Sequence, residues 1–339
     1  MCEFKENFTR KYNFWTFSFF IEKLRQKIMK YTKATIILFL SALLACTANK
    51  HHRNSSKESN PIIITGEDYA NHTKIDSKYT FETLDVSKIT TLPTEGKNQL
   101  WDLRPYQLAN HVREQTHDNH PVPAGTSFST ATFVRKHQSE FIKDFSYTEF
   151  YEVSDEGFYK LGIIVDEATA NLGNGILLKS TGKEDILTPK DLIFKFPIYY
   201  GEKTNYEGFV VEEYTLTVSA LGLVDAPVAR KLTSTVQSEV VGWGKVVLPD
   251  AALDQTTEVL LVKNIETLKS NYFLNGQTAP AALLSMLGLK ENYIDNMVFY
   301  NFISKEHGSI ASISFDVDDT TKKIVFPAHF SSYKVEKHF

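Results

Sequence analysis

The chain is nearly free of cysteine: Cys2 and Cys46 are the two it has in 339 residues. Beyond residue 46 no disulfide can form within the chain and no thiolate can act. A cysteine protease or a Cys₄ zinc site is therefore excluded from that part. The short signatures of common chemistries are missing too. There is no G-x-S-x-G elbow, no phosphate-binding loop and no dinucleotide fingerprint. Charge of one sign is never concentrated in a stripe. The 37 Lys and Arg are mixed with 41 Asp and Glu for a net charge of −4. Most of the basic excess lies before Cys46, so the remainder is acidic and a nucleic-acid partner is disfavoured. Long apolar runs are lacking as well. The longest, residues 34–45, falls well short of the roughly 20 residues that span a bilayer.

That short run has a different use. In MKYTKATIILFLSALLACTANK, residues 29–50, Lys30 and Lys33 precede an uncharged apolar core, and small Ala45 precedes Cys46. These are the three parts of a secretory signal peptide. Leu43-Leu44-Ala45-Cys46 resembles a lipobox, in which the cysteine is acylated and becomes the mature N-terminus. Lipid then replaces a spanning helix, each buried CH₂ contributing about 0.8 kcal/mol. The alternative is an ordinary signal peptide with an incidental cysteine. Residues 1–28 read as upstream sequence translated from an early start codon, Met29 being the more natural start. An unusually long n-region and a short amphipathic helix are the other readings.

Residues 46–77 are expected to be the lipidated N-terminus and a flexible tether, because TANKHHRNSSKESNP has almost no large apolar residue. From about Lys78 to residue 339 the sequence changes to short runs rich in Val, Ile, Thr, Tyr and Phe, separated by turn residues. Strands are predicted over 145–153 and 158–166, a hairpin whose SDEG turn ends in Gly157, then over 175–180, 192–200, 209–221, 231–248 and 257–268. In the 231–248 run, Leu232, Val236, Val240, Val246 and Leu248 share one parity, while Thr233, Thr235, Gln237, Glu239 and Lys245 share the other. One face buried and one wet is the antiparallel pattern. One helix is predicted in TAPAALLSMLG, with Thr278 as cap, Pro280 in the first turn and Gly288 at the end. Strands over 296–303, 309–317 and 322–330 complete a meander. The fold class is all-β and mainly antiparallel: a β-sandwich, or a curved half-barrel wrapped on the one short helix.

Three stretches carry a family resemblance. They are Leu92-Pro93-Thr94-Glu95-Gly96-Lys97-Asn98-Gln99-Leu100-Trp101-Asp102-Leu103, then Phe194-Lys195-Phe196-Pro197 with Tyr200-Gly201, and Val240-Val241-Gly242-Trp243-Gly244-Lys245-Val246 with Pro249 and Val259-Leu260-Leu261-Val262-Lys263. In order and spacing they resemble a group of secreted and lipid-anchored proteins of Bacteroidota, β-rich and mostly without known function. The chain departs from that pattern after Pro249, where Asp250-Ala251-Ala252-Leu253 stands in place of a Gly-Thr-Phe-like piece, and the family's C-terminal sorting domain does not follow the last strand. The resemblance implies a β-rich envelope protein and supplies no catalytic residue.

Each candidate for chemistry has a structural counter-reading. His51 and His52 sit in the solvated tether. His111, His117, Asp118 and His120 form the densest metal-like cluster, but in a polar loop and without a zinc spacing. Asp316, Asp318 and Asp319 lie in a turn and lack the remaining oxygen ligands of a calcium loop. Glu212 and Glu213, adjacent in a strand, point to opposite faces and cannot be a paired acid and base. Gly242-Trp243-Gly244 inside a strand reads as a bulge ahead of a ligand-stacking tryptophan. Phe145, Tyr147, Phe150, Tyr151, Phe158 and Tyr159 read as core ahead of a sugar- or lipid-binding face.

Cys46 is thus the one assigned site residue, for lipidation, and no catalytic residue, metal or cofactor is assigned. The expected protein is an outer-membrane lipoprotein of the cell envelope facing the periplasm, since no acidic surface-export cluster follows Cys46. Non-enzymatic binding or scaffolding is the leading function. A carrier of an apolar ligand or lipoprotein and a glycan-directed enzyme or binding module are the alternatives. An acidic pair facing across a cleft would point to glycans, and a dry apolar cavity to the carrier.

Overall fold

The computed structural model describes residues 62–83, 85, 89, 91–106, 114–138, 144–249, 256–317 and 324–333. The leader, the signal, Cys46, His51, His52, His111, Asp250-Ala251-Ala252-Leu253, Asp318 and Asp319 lie outside the described residues. The described elements are overwhelmingly strands: β1 (Ile63–Ile64), β2 (Lys78–Thr83), β3 (Gly96–Asp102), β4 (Glu114–His120), β5 (Phe133–Gln138), β6 (Ser146–Val153), β7 (Gly157–Val165), β8 (Ala168–Gly173) and β9 (Ile176–Ser180), then β10 (Glu184–Lys195), β11 (Ile198–Tyr199), β12 (Lys203–Val218), β13 (Leu223–Val247), β14 (Thr257–Leu274), β15 (Gln277–Thr278), β16 (Tyr293–Ser304), β17 (Gly308–Val317) and β18 (Ile324–Tyr333). Two short helices, α1 (Gly66–Ala70) and α2 (Ala281–Met286), accompany them. The all-β, mainly antiparallel fold read from the sequence is the observed one, with two short helices in place of one.

Neighbouring strands run β3-β13-β14-β16-β17-β18-β2-β4-β5-β6-β7-β10-β12-β9-β8, with β12 also beside β13 and β15 beside β14. Two wings face each other: β5-β6-β7-β10 on one side and β12-β13-β14-β16 on the other. Phe133, Tyr151, Phe158 and Phe194 from the first wing pack with Val240, Trp243, Leu260 and Ile303 from the second. The junction between the wings is thin. β10 meets β12 at one residue pair, Thr188↔Phe209, because Pro189 has no N–H to continue the ladder. The sheet therefore bends back on itself without closing into a barrel.

The second wing is buried on both faces where β3 covers it. On β14, Leu260 and Val262 join the core between the wings, while Val259 and Leu261 join a second core with Trp101, Phe302, Ile310 and Phe315. This is why residues 259–262 are apolar without alternation. The second core is covered by β3, which runs parallel to β13 with Gly244↔Gln99 and Val246↔Trp101 in register. The three motifs of the sequence resemblance thus meet in space, and Phe194, Phe196, Trp101, Trp243 and Leu260 are all core residues.

Gly242-Trp243-Gly244 is a bulge, as its place in a strand predicted. The β13–β14 register shifts between Val240 and Gly242, and Trp243 is buried. The extra residue corrects one expectation. Val240 and Val246 were expected on one face, yet Val240 lies in the core between the wings and Val246 in the core beneath β3. A bulge reverses the parity of everything beyond it. Gly244 is required by the approach of β3: a Cβ there would stand 2.0 Å from the Gln99 carbonyl oxygen.

Helix α2 sends Leu283 and Leu287 into a third core with Tyr214, Leu216 and Phe145. Its N-cap is Pro280, and no side chain caps it, so Thr278 does not serve as expected; Thr278 is in β15 instead. Gly288, at φ +71°, ends the helix and donates to the Ser285 carbonyl at 3.1 Å. Ordered structure also begins before Lys78. A capping box of Thr65 and Asp68 starts α1, and Ile64 and Tyr69 are buried in the core between the wings. The stretch 62–77, read as tether, is therefore built into the domain.

Candidate functional site

Between the aromatic end of the inter-wing core and the α2 end, the inward faces turn polar. On the first wing Arg135 pairs with Glu149 across β5 and β6, and Lys160 pairs with Asp191 across β7 and β10. Arg135, Glu149, Lys160 and Asp191 thus form a row of alternating charge over four strands, with Tyr151 and Phe133 next to it. On the second wing Ser234, Val236, Ser238, Asn264 and Glu266 share the parity of buried Leu232 and Val240. Tyr206 of β12 stands beside them and donates to the Pro189 carbonyl at 3.0 Å.

Glu149 is wholly buried and heavily bonded. Lys160 Nζ lies 2.6 Å from one carboxylate oxygen, and Tyr151 Oη donates to the other at 2.5 Å. His137 Nε2 is 3.1 Å from that second oxygen. Burial alone would raise its pKa, but Lys160 and His137 hold the carboxyl well below the usual range. Asp191 and Glu266 are different. Both are half-buried although they point between the wings, as are Lys160, Ser234 and Ser238. Solvent therefore reaches this part of the interior. Among the described residues Asp191 forms no ion pair, and Glu266 receives only the Ser234 hydroxyl at 2.9 Å. Burial pushes Asp191 up to about 6, opposed by Lys160. Burial, then the neighbouring Asp191 carboxyl, pushes Glu266 up to about 7. Two carboxyls of raised pKa thus feel each other across a polar recess.

The recess has a crevice beside it where the β10–β12 ladder lapses. Ile193, Lys195, Glu202, Thr204 and Ser238 are among its lining, over a floor of Phe194 and Val262. It spans about 280 Å³ counting the open mouth, but its enclosed part holds no more than one small group such as a single ammonium or hydroxyl. A second polar island lies toward α2: Glu212 is wholly buried, 3.8 Å from Arg230, whose Nη2 donates to Ser270 Oγ at 2.8 Å. Asp185 beside it is raised to about 8, by burial and then by Glu212 and Glu213.

These shifts set a pH dependence. Unfolded Asp and Glu titrate near pH 4. Between there and about 6 to 8, folded Asp191, Glu266 and Asp185 retain protons that the unfolded chain has released. Stability is expected to fall as pH rises through that window, by at most about 1.4 kcal/mol per pH unit for each proton. Glu149 acts oppositely; its contribution is present above pH 4 and is lost as pH falls. Urea midpoints measured from pH 5 to 8 should decline, and Glu266→Gln should flatten the decline; a level profile would contradict the assignment.

The other sequence candidates fall outside this site. The predicted polar loop around His117, Asp118 and His120 is strand β4, hydrogen-bonded to both β2 and β5, so tertiary pairing overrides its weak strand propensity. Asn119 is the member that turns inward, accepting from Arg135 Nε at 2.9 Å. No group of three or more His, Cys, Asp or Glu is placed to hold a metal among the described residues. Asp316 lies in strand β17. Glu212 and Glu213 do face apart, one buried and one exposed. The aromatics Phe145, Tyr147, Phe150, Tyr151 and Phe158 are core, and Tyr159 is half-buried. Glu149, Lys160, Asp191 and Glu266 were not singled out from the sequence. Their signal is a lone charge at an inward position, as in Tyr147-x-Glu149-x-Tyr151. Comparison with known proteins returns no match, whether with family models, with curated proteins or with solved structures.

Proposed function

We propose that the protein is a lipid-anchored envelope protein, held in the outer membrane through Cys46 and facing the periplasm, whose β domain is a non-enzymatic binding module for a hydrophilic, glycan-type ligand. The observation that supports the binding reading is the recess itself. Asp191 and Glu266 face each other across a solvent-reached interior lined by Ser234, Ser238, Lys160 and Tyr206. An apolar cargo would leave these polar groups desolvated and unpaired, whereas hydroxyl groups satisfy them. The polar lining therefore favours a glycan-directed module over an apolar carrier. Titration calorimetry of the full-length protein in detergent tests this: soluble envelope oligosaccharides are expected to bind with one-to-one stoichiometry and long-chain fatty acids not at all. Stoichiometric binding of the fatty acid alone would overturn it. The anchor is tested separately. Palmitate labelling in the native cell is expected to be lost completely in Cys46→Ser, and retained label would refute the assignment.

A further inference from the structure

The crevice between β10 and β12 holds a carboxylate with an unmet need. Glu202 is 9% exposed, and its Oε1 is 3.4 Å from Lys195 Nζ on the rim. Its Oε2 is buried and has no hydrogen-bond partner among the described residues. A buried carboxylate oxygen without a donor is costly to retain. The carboxylate is also held in place. Glu202 N–H donates to the Tyr199 carbonyl at 3.1 Å, its carbonyl accepts from Val240 N–H at 2.9 Å, and Gly201 N–H donates to the Val240 carbonyl at 2.9 Å. The turn is thus locked to β13, which fixes Glu202 in the crevice lining.

Acidic side chains continue inward from this point. Ile193 of the crevice is two residues from Asp191, and Ser238 donates to Asn264, which is two residues from Glu266. Along the regular β14, two residues is about 7 Å on the same face, whereas β10 is bulged between Leu192 and Phe194. Lys160 is engaged by Glu149, and Lys195, the cation at the mouth, is more than half exposed. The acidic groups Glu202, Asp191 and Glu266 thus line this path, with Lys195 the cation at its mouth.

We infer that the crevice at Glu202 binds a primary ammonium group of the ligand, the chemistry presented by an amino sugar; this rests on the recess being the binding site. An ammonium supplies three donors, one for the orphan Oε2 and others for the Thr204 and Ser238 hydroxyls on the rim. The same ring's hydroxyls would face the recess.

The test uses the full-length protein in detergent at pH 6.5, with glucosamine, N-acetylglucosamine and glucose as probes in titrations followed by NMR. Glucosamine is expected to bind at least tenfold more tightly than the two neutral sugars, and Glu202→Gln to abolish that preference without lowering the melting temperature. The comparison of the three sugars on the unaltered protein stands even if the variant fails to fold. Equal binding of all three would overturn the ammonium site while leaving the recess as a glycan site. An amine preference untouched by Glu202→Gln in a folded variant would overturn the role of Glu202. Failure of all three sugars, with fatty acid bound instead, would overturn both the inference and the binding function beneath it.

Discussion

Lys160→Ala is expected to lower the unfolding free energy by about 3–5 kcal/mol, the cost typical of leaving a buried charge without its partner. Glu149 has no exposed surface, and Lys160 at 2.6 Å is its main counter-charge. Tyr151 Oη and His137 Nε2 remain after the substitution. A phenol can donate but cannot neutralise the carboxylate, and only the His137 imidazole at 3.1 Å is left to offset its charge, so much of the desolvation cost returns. The effect should far exceed that of exposed pairs such as Lys183 with Glu213, where about 0–1 kcal/mol is usual. A double substitution, Glu149→Leu with Lys160→Met, should recover much of the loss, because an apolar pair of similar volume has no charge to desolvate. Urea denaturation of the three proteins measures the loss and its recovery. A loss below about 1 kcal/mol for Lys160→Ala would mean that water, and not lysine, solvates Glu149.

Gly244→Ala should be nearly as damaging, at about 3 kcal/mol, the upper end for overpacking a core. The added Cβ would meet the Gln99 carbonyl oxygen at 2.0 Å and the Gln99 nitrogen at 2.6 Å, and both are backbone atoms. No rotamer change relieves such a clash; β3 must move away from β13. Movement of β3 also withdraws Trp101, which is buried against Phe302 at a ring separation of 5.4 Å. Gly242→Ala is the internal comparison, since its nearest contact is 3.1 Å and a small shift accommodates it. Thermal denaturation should rank the proteins wild type, Gly242→Ala, Gly244→Ala in falling stability. Equal melting temperatures for the two variants would show that β3 is not seated as described.

The fold was legible where one physical signal dominated. Val, Ile and Tyr runs with intervening turns located the hairpin of β6 and β7 and the existence of the long strands β12, β13 and β14, although β12 and β13 begin earlier, at Lys203 and Leu223, and β14 runs on to Leu274. The bulge at Gly242-Trp243-Gly244 was readable because glycine in a strand pattern has few other uses. Its consequence was not readable, since the parity of Val246 depends on where the extra residue falls. Strand β4 escaped because EQTHDNH owes its conformation to partners on both sides and not to its own propensities. Helix α1 and buried Tyr69 escaped for a related reason: five residues are too few for helical periodicity, and only the Thr65 and Asp68 capping box marks them.

The site was less legible than the fold. Glu149, Lys160, Asp191 and Glu266 are 117 positions apart at their extremes (149 to 266), and each is an unremarkable single charge in its own strand. What joins them is register: Arg135 opposite Glu149, Lys160 opposite Asp191, and the second wing folded over both. Register in a bent sheet is a long-range property, fixed by bulges such as those between Ile186 and Asp191. Adjacent acids such as Glu212 and Glu213 draw the eye in a sequence, yet the acids that face each other come from β10 and β14.

The most direct test of the solvent-reached recess is carboxyl footprinting of the folded protein with a water-soluble carbodiimide and an amine, read residue by residue by mass spectrometry. Asp191 and Glu266, half-buried and pushed up to about 6 and about 7, are expected to be labelled in the native state, while Glu149 is labelled only after unfolding. Protection of Asp191 and Glu266 equal to that of Glu149 would mean that water does not reach between the wings, and the recess would no longer stand as a binding site.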